Sequence, residues 1–298
     1  MSELRIFDSE TVLPDDRLTG KARTLLGFEE RYSRARNHLR LLLNIGELGA
    51  WNKEHHGSKL ALVDLVAEQY PLVVFYGDVG TGKTATAECI ANRFVVEARV
   101  EDSVLFKLSN RVRGSGKVGE MGSLLAEAFA KVAQAAGKGR RAILIIDEGD
   151  SLAAARSQEH SHHEDKVAVN TVIQGIDELR RFGGRVVIIL CTNRVSVLDP
   201  AHMRRAAIIE EFKRPTPEER RKLFAMDLDA LSLSEKQIAW LVDATGSRDG
   251  QPGWTYSDIR TRLYPAALAL AFPDEPLEFD HLQTVAGGLK PSPVVEGC

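Results

Sequence analysis

Eight consecutive residues, Gly77-Asp78-Val79-Gly80-Thr81-Gly82-Lys83-Thr84, match the pattern G-x-x-x-x-G-K-[ST] at every fixed position. The glycines let a loop wrap closely, so that successive backbone N–H groups converge on one anion at a helix N-terminus. Lys83 is the cation for β- and γ-phosphates, and the Thr84 hydroxyl is a ligand for Mg²⁺. The expected triphosphate contacts are therefore Gly77, Val79, Gly80, Thr81, Gly82, Lys83, Thr84 and Ala85.

Two carboxylates follow an apolar run at Arg141-Ala142-Ile143-Leu144-Ile145-Ile146-Asp147-Glu148. In phosphoryl-transfer sites an acidic residue at such a strand end holds the metal, so Asp147 is expected to hold Mg²⁺ directly or through water. Glu148 is placed to orient and deprotonate an attacking water, which is general-base work. A helix N-cap is the structural alternative for the pair. Together the loop and the carboxylates describe a nucleoside-triphosphate hydrolase.

Two further groups complete the chemistry. Asn193, in Leu190-Cys191-Thr192-Asn193-Arg194, could bridge a γ-phosphate and the attacking water, or simply form a turn. Arg204 and Arg205 are either solvated surface charges or fingers offered to a neighbouring subunit. A finger of that kind is worth on the order of 10³–10⁵ in turnover.

These residues need elements that hold them. Five apolar, β-branched runs read as strands, at Leu72 to Tyr76, Val104 to Leu108, Ala142 to Ile146, Val186 to Cys191 and Ala207 to Phe212. Helical stretches alternate with them, notably Leu124 to Ala136 and Val167 to Phe182. Alternation of this kind gives right-handed β-α-β units, hence a five-stranded parallel sheet sandwiched by helices. Ligands bind beyond the carboxyl ends of such strands, where Gly77 and Asp147 both fall. Arg31 to Leu48 reads as one amphipathic helix broken at Trp51 to Gly57. After Pro215 and Pro217, helices are expected at Glu218 to Leu228, Ser234 to Ala244 and Tyr256 to Phe272. The expected layout is a polar tail over 1–25, a large α/β domain over 26–214 and a small helical lid over 215–298.

Bulk properties narrow the class. The chain has 298 residues, with 39 basic and 42 acidic side chains and a net charge of −3, which gives no general attraction to nucleic acid. The three cysteines have no metal-type spacing, as expected of reduced thiols in the cytosol. Neither a signal peptide nor an apolar stretch of membrane-spanning length is evident, so a soluble cytoplasmic protein is expected. His160, His162 and His163 lack a ligand-spaced partner and read as a polar loop, not as a zinc site.

In their order and spacing, the glycine loop, Ile143 to Glu148, Asn193 and the segment through Arg205 resemble the AAA+ ATPases over roughly residues 26–270. A narrower resemblance is to the pachytene-checkpoint branch, which remodels HORMA-domain proteins. It rests on Asp147-Glu148-Gly149-Asp150-Ser151-Leu152 through Ala155-Arg156, on Val169-Asn170 through Ile176-Asp177, and on Met203-Arg204-Arg205-Ala206. Ala207 stands where general members carry a second arginine, which makes Arg205 the first candidate for the finger and Arg204 the second. The resemblance implies ATP and Mg²⁺ as cofactors, a homohexameric ring and Asn193 as the phosphate sensor. It also implies an adenine contact near Leu26 and Gly27 and a second sensor arginine, for which Arg260 is the first candidate and Arg262 the second.

A substrate-gripping pore loop is implied at Lys117, Val118 and Gly119, although this chain lacks the family's aromatic residue there. That lack also argues against nucleic acid in the pore. With only about 70 residues before the first core strand, the layout is similar to bacterial members tied to cyclic-oligonucleotide anti-phage signalling. The implied partner is a HORMA protein, with or without a cyclic-oligonucleotide synthase. A general unfoldase acting on other clients and a DNA-associated ATPase remain the alternatives.

Overall fold

The computed structural model describes residues 6–98, 102–109, 112, 120–137, 140–149, 163–248 and 250–295. Two compact units emerge, one from Met1–Tyr76 and Thr84–Glu211, the other from Gly77–Lys83 and Phe212–Glu296.

The first unit opens with β1 (Phe7–Leu13), α1 (Asp16–Arg23), α2 (Phe28–Leu43), α3 (Ile45–His56) and α4 (Ala61–Ala67). The sheet then continues through β2 (Leu72–Gly77), β3 (Ser103–Leu108), β4 (Arg141–Ile146), β5 (Val186–Thr192) and β6 (Ala206–Phe212). Its helices are α5 (Lys83–Ala98), α6 (Glu120–Gly137), α7 (His163–Leu179) and α8 (Pro200–Arg205). Strand order is β1-β3-β4-β5-β2-β6, with β3–β4, β4–β5 and β5–β2 parallel and β1–β3 antiparallel.

Both faces of the central strands are buried, which is why they read as unbroken apolar runs. Val74, Leu144, Ile146, Ile188 and Leu190 share one core with Leu125, Phe129 and Val132 of α6 and Val172 and Ile176 of α7. The alternate residues Val73, Phe75, Ile143, Ile145 and Ile189 are buried as well. All five strands read from the sequence are present.

Residues 1–25, expected to be a tail, instead supply a sixth strand and a helix among those described. β1 carries Asp8, Ser9, Glu10 and Thr11, and only Phe7 and Leu13 are buried. An edge strand is held by its backbone ladder, here from Thr11 opposite Leu105 to Leu13 opposite Ser103, and needs no apolar alternation. Asp15 then caps α1 through the Arg17 N–H, and its own N–H donates to Asn92 of α5 at 2.7 Å.

The helix expected over Arg31 to Leu48 breaks at Asn44, not at Trp51. Asn44 leaves helical geometry (φ −129°, ψ 44°), and its side-chain oxygen accepts from Arg141 Nη2 at 2.6 Å. Trp51 lies inside α3, which ends where Gly57 turns left-handed at φ 62°. Asn52 fastens that turn by donating to Ser58 O and accepting from Leu60 N, each at 3.1 Å.

The second unit contains α9 (Pro217–Asp227), α10 (Glu235–Ala244), α11 (Tyr264–Ala271) and α12 (Phe279–Gly288) around Leu223, Phe224, Leu241, Trp254, Leu263 and Leu282. Capping boxes at Thr216/Glu219 and Ser234/Gln237 start α9 and α10. The helix expected over Tyr256 to Phe272 is divided, with a π-helical stretch at Asp258–Leu263 before α11. Pro265 has no N–H to give to the preceding turn, and a widened turn absorbs the lost bond.

Candidate active site

The parallel registers set the site's frame. Tyr76 pairs with Thr192 and Ile146 with Leu190, so β2, β4 and β5 end side by side. Asp147 and Asn193 therefore leave neighbouring strands at the same edge, and Gly77 closes β2 there.

Backbone conformation and lack of space both call for glycine in the loop. Gly77 has φ 135°, and a Cβ there would lie 2.0 Å from the Phe212 carbonyl oxygen. Gly80 has φ 75°, and a Cβ would lie 2.7 Å from both Ser257 Cβ and Thr255 Oγ1. Inside this loop Thr81 Oγ1 donates to Asp78 O at 2.7 Å. Lys83, only 6% exposed, donates from Nζ to Gly77 O and Asp78 O, both at 2.8 Å. The ammonium sits at the start of α5, where its charge and the helix N-terminus both favour an anion.

Thr84, next in the chain, donates from Oγ1 to Asp147 Oδ2 at 2.8 Å. The other carboxylate oxygen accepts from the Glu148 N–H at 3.0 Å. The hydroxyl and the carboxylate are hard oxygen donors within reach of one ion, and so few protein ligands suit Mg²⁺, which keeps several waters. Glu148 is exposed and sits at φ 50°, a left-handed conformation that costs a non-glycine residue of order 1–3 kcal/mol.

The arginines are held on their own chain. Arg205, at the end of α8, donates from Nε and Nη2 to Asp177 at 2.8 and 3.1 Å and lies 5.0 Å above the Tyr70 ring. The Asp177 carboxylate pushes its already high pKa further up. Arg204 is exposed and donates to Pro200 O at 3.3 Å. Arg260 makes a bidentate pair with Asp227, both bonds at 2.7 Å, which again raises its pKa. Arg262 pairs with Asp258. Gly27 (φ 72°) starts α2 as its N-cap residue with Leu26 just before it.

Thr84 and Asp147 are thus brought together, and Asn193 sits at the shared strand edge. Arg205, Arg204 and Arg260 are tied to acidic or carbonyl partners instead. The pore-loop residues Lys117, Val118 and Gly119 lie outside the described residues, as do His160 and His162. Among the described residues no group of three or more His, Cys, Asp and Glu side chains is gathered as a metal site, and no helix is long and apolar enough to cross a membrane. Sequence reasoning missed Asp177, in the last turn of α7, as the partner of Arg205.

Residues 73–214 match the model of the ATPase family associated with various cellular activities (AAA). CD-NTase-associated protein 6 of Escherichia coli strain KTE188 is 65% identical over 295 residues, covering 99% of each chain. A solved "HORMA:CdnC:Trip13 complex" of E. coli MS115-1 contains a chain 36% identical to this one, with a TM-score of 0.88 over 97% of both. A Rhizobiales Trip13 structure is 32% identical, with a TM-score of 0.71 over 96% of this chain and 99% of that one.

Proposed function

This chain belongs to the AAA ATPases, in the family of CD-NTase-associated protein 6, and we propose that it hydrolyses ATP to remodel a HORMA-domain protein. The observation that carries the catalytic half is the Thr84–Asp147 contact at 2.8 Å, directly after a glycine loop whose buried lysine donates to the Gly77 and Asp78 carbonyls.

ATP binds through the N–H groups of Gly80 to Ala85 and the Lys83 ammonium, with the adenine near Leu26 and Gly27. Thr84 and Asp147 would hold Mg²⁺, which would supply charge neutralisation at the transferring phosphoryl group. Glu148 takes a proton from the attacking water, which Asn193 orients from the neighbouring strand end. Arg205 exchanges its bond to Asp177 for the phosphate of an adjoining copy in a homohexamer and so completes that copy's site; Arg204 is the second choice. Arg260 exchanges Asp227 for the γ-phosphate in the same way. Hydrolysis then moves the pore loop of Lys117, Val118 and Gly119 against the client.

The client assignment rests on the match to the HORMA:CdnC:Trip13 complex. In this chain's setting the protein dismantles a HORMA partner, alone or bound to a cyclic-oligonucleotide synthase, and restrains anti-phage signalling in the cytoplasm. Mixing it with a closed HORMA–peptide complex and ATP should release the peptide, while Glu148→Gln should not. Peptide retained equally by both proteins would refute the client. Turnover stimulated by DNA and indifferent to HORMA would point to a nucleic-acid-linked motor instead.

A further inference from the structure

Asp78 occupies a variable position of the phosphate-loop pattern, so the pattern gives it no role. In the structure it is among the most tied residues of the loop. Its backbone carbonyl accepts from Lys83 Nζ and Thr81 Oγ1. Its carboxylate, on a residue 7% exposed, accepts from Val79 N at 2.9 Å and from Arg214 Nε at 2.5 Å. The remaining Arg214 nitrogens donate to Gly253 O at 2.6 Å, Ser292 O at 2.9 Å and Pro293 O at 3.0 Å. Ser292 is fastened in turn to Asp258, its Oγ donating to Oδ1 at 2.6 Å. Val295 N completes the ring by donating to Asp78 Oδ1 at 3.4 Å.

A buried carboxylate sits one residue after Gly77, where uncompensated negative charge would repel phosphate at low dielectric. Arg214 cancels it. The same guanidinium joins the loop to the segment Ser292 to Val295 through three backbone carbonyls, a fork-shaped donor set that lysine cannot reproduce.

We infer that Arg214 is a positioning residue for nucleotide binding, neutralising Asp78 and lashing the C-terminal segment Ser292 to Val295 to the phosphate loop. It touches no reacting atom. It sets the loop's shape and charge, and nucleotide affinity is thereby coupled to the C-terminal segment. This rests on the reading of Gly77 to Thr84 as the nucleotide site.

The test is a double-variant cycle with ADP as the probe, measured by calorimetry on the full chain. Arg214→Met should weaken ADP binding about tenfold or more, because it strands the Asp78 charge beside the phosphates. Adding Asp78→Asn to Arg214→Met should recover most of that loss, to within about threefold of wild type, since no stranded charge remains. If the double variant stays as weak as Arg214→Met, the arginine acts on nucleotide directly and the inference fails. Removing Pro291 to Cys298 should weaken ADP several-fold in the wild-type background and have no effect in the double variant. An equal effect in both backgrounds would also overturn it. The double variant and the truncation keep the test decisive if Arg214→Met does not fold. Wild-type protein that binds no ADP would instead refute the nucleotide-site reading itself.

Discussion

Replacing Lys83 by Met separates binding from folding more cleanly than any other single change. The ammonium donates to the Gly77 and Asp78 carbonyls at 2.8 Å each. Losing two charge–dipole bonds is offset by no longer burying a cation, so apo stability should move by no more than about 1 kcal/mol. Against phosphate the ammonium makes charge-assisted bonds, and their loss at about 2.7 kcal/mol corresponds to about a hundredfold in Kd. At an ADP concentration a hundred times the wild-type Kd, binding stabilises wild type by about 2.7 kcal/mol. The variant at the same concentration sits near its own Kd and gains about 0.4 kcal/mol. For a chain of this size the corresponding Tm rises are about 5–11 °C and about 1–2 °C. Thermal denaturation with and without ADP reads both numbers. A full-sized shift in Lys83→Met would refute the placement of the phosphates in this loop.

Three further outcomes are expected. Glu148→Gln should retain ADP and ATP affinity while turnover falls at least about 10²-fold, read by phosphate release. Gly80→Ala should cost about 1–3 kcal/mol of stability and lose nucleotide, because φ 75° and a Cβ at 2.7 Å from Ser257 and Thr255 leave the methyl no place. Asp258, which burial pushes up, is held below the ordinary carboxyl range because hydrogen bonds from Ser292 and Thr255 outweigh that burial. Its folded pKa is depressed, so its contribution is complete above about pH 4 and vanishes as pH falls through the lower folded value. Melting curves from neutral to strongly acidic pH should show Asp258→Asn less stable at pH 7, with the gap closing in acid. A gap that stays constant would contradict the assignment.

The sheet and the nucleotide loop were legible because their residues are constrained locally. Ile143 to Ile146 and Val186 to Leu190 are buried on both faces, and burial of that kind writes itself as an apolar run. β1 was not legible, since an edge strand needs backbone partners more than apolar side chains, and Asp8 to Thr11 read as tail. The break at Asn44 depends on Arg141, nearly a hundred residues later in the chain, a contact no local pattern encodes. α12 escaped because Pro273, Pro276 and Gly287 mask a helix whose buried side chains are few. In the site, Gly77, Lys83, Thr84, Asp147 and Glu148 have types fixed by phosphate and metal chemistry and stand out. The partners that hold the arginines, Asp177 for Arg205 and Asp227 for Arg260, are ordinary carboxylates until the fold juxtaposes them.

The central claim is that one copy's Arg205 completes the site built around another copy's Glu148. Glu148→Gln and Arg205→Ala should each hydrolyse ATP at about a hundredth of the wild-type rate or less. Mixed in equal amounts, they place an intact Glu148 beside an intact Arg205 at up to about a quarter of the junctions in a ring. Phosphate release from the mixture should therefore rise well above the sum of the two variants, towards that fraction of wild type. A mixture that never exceeds the sum would contradict the shared site.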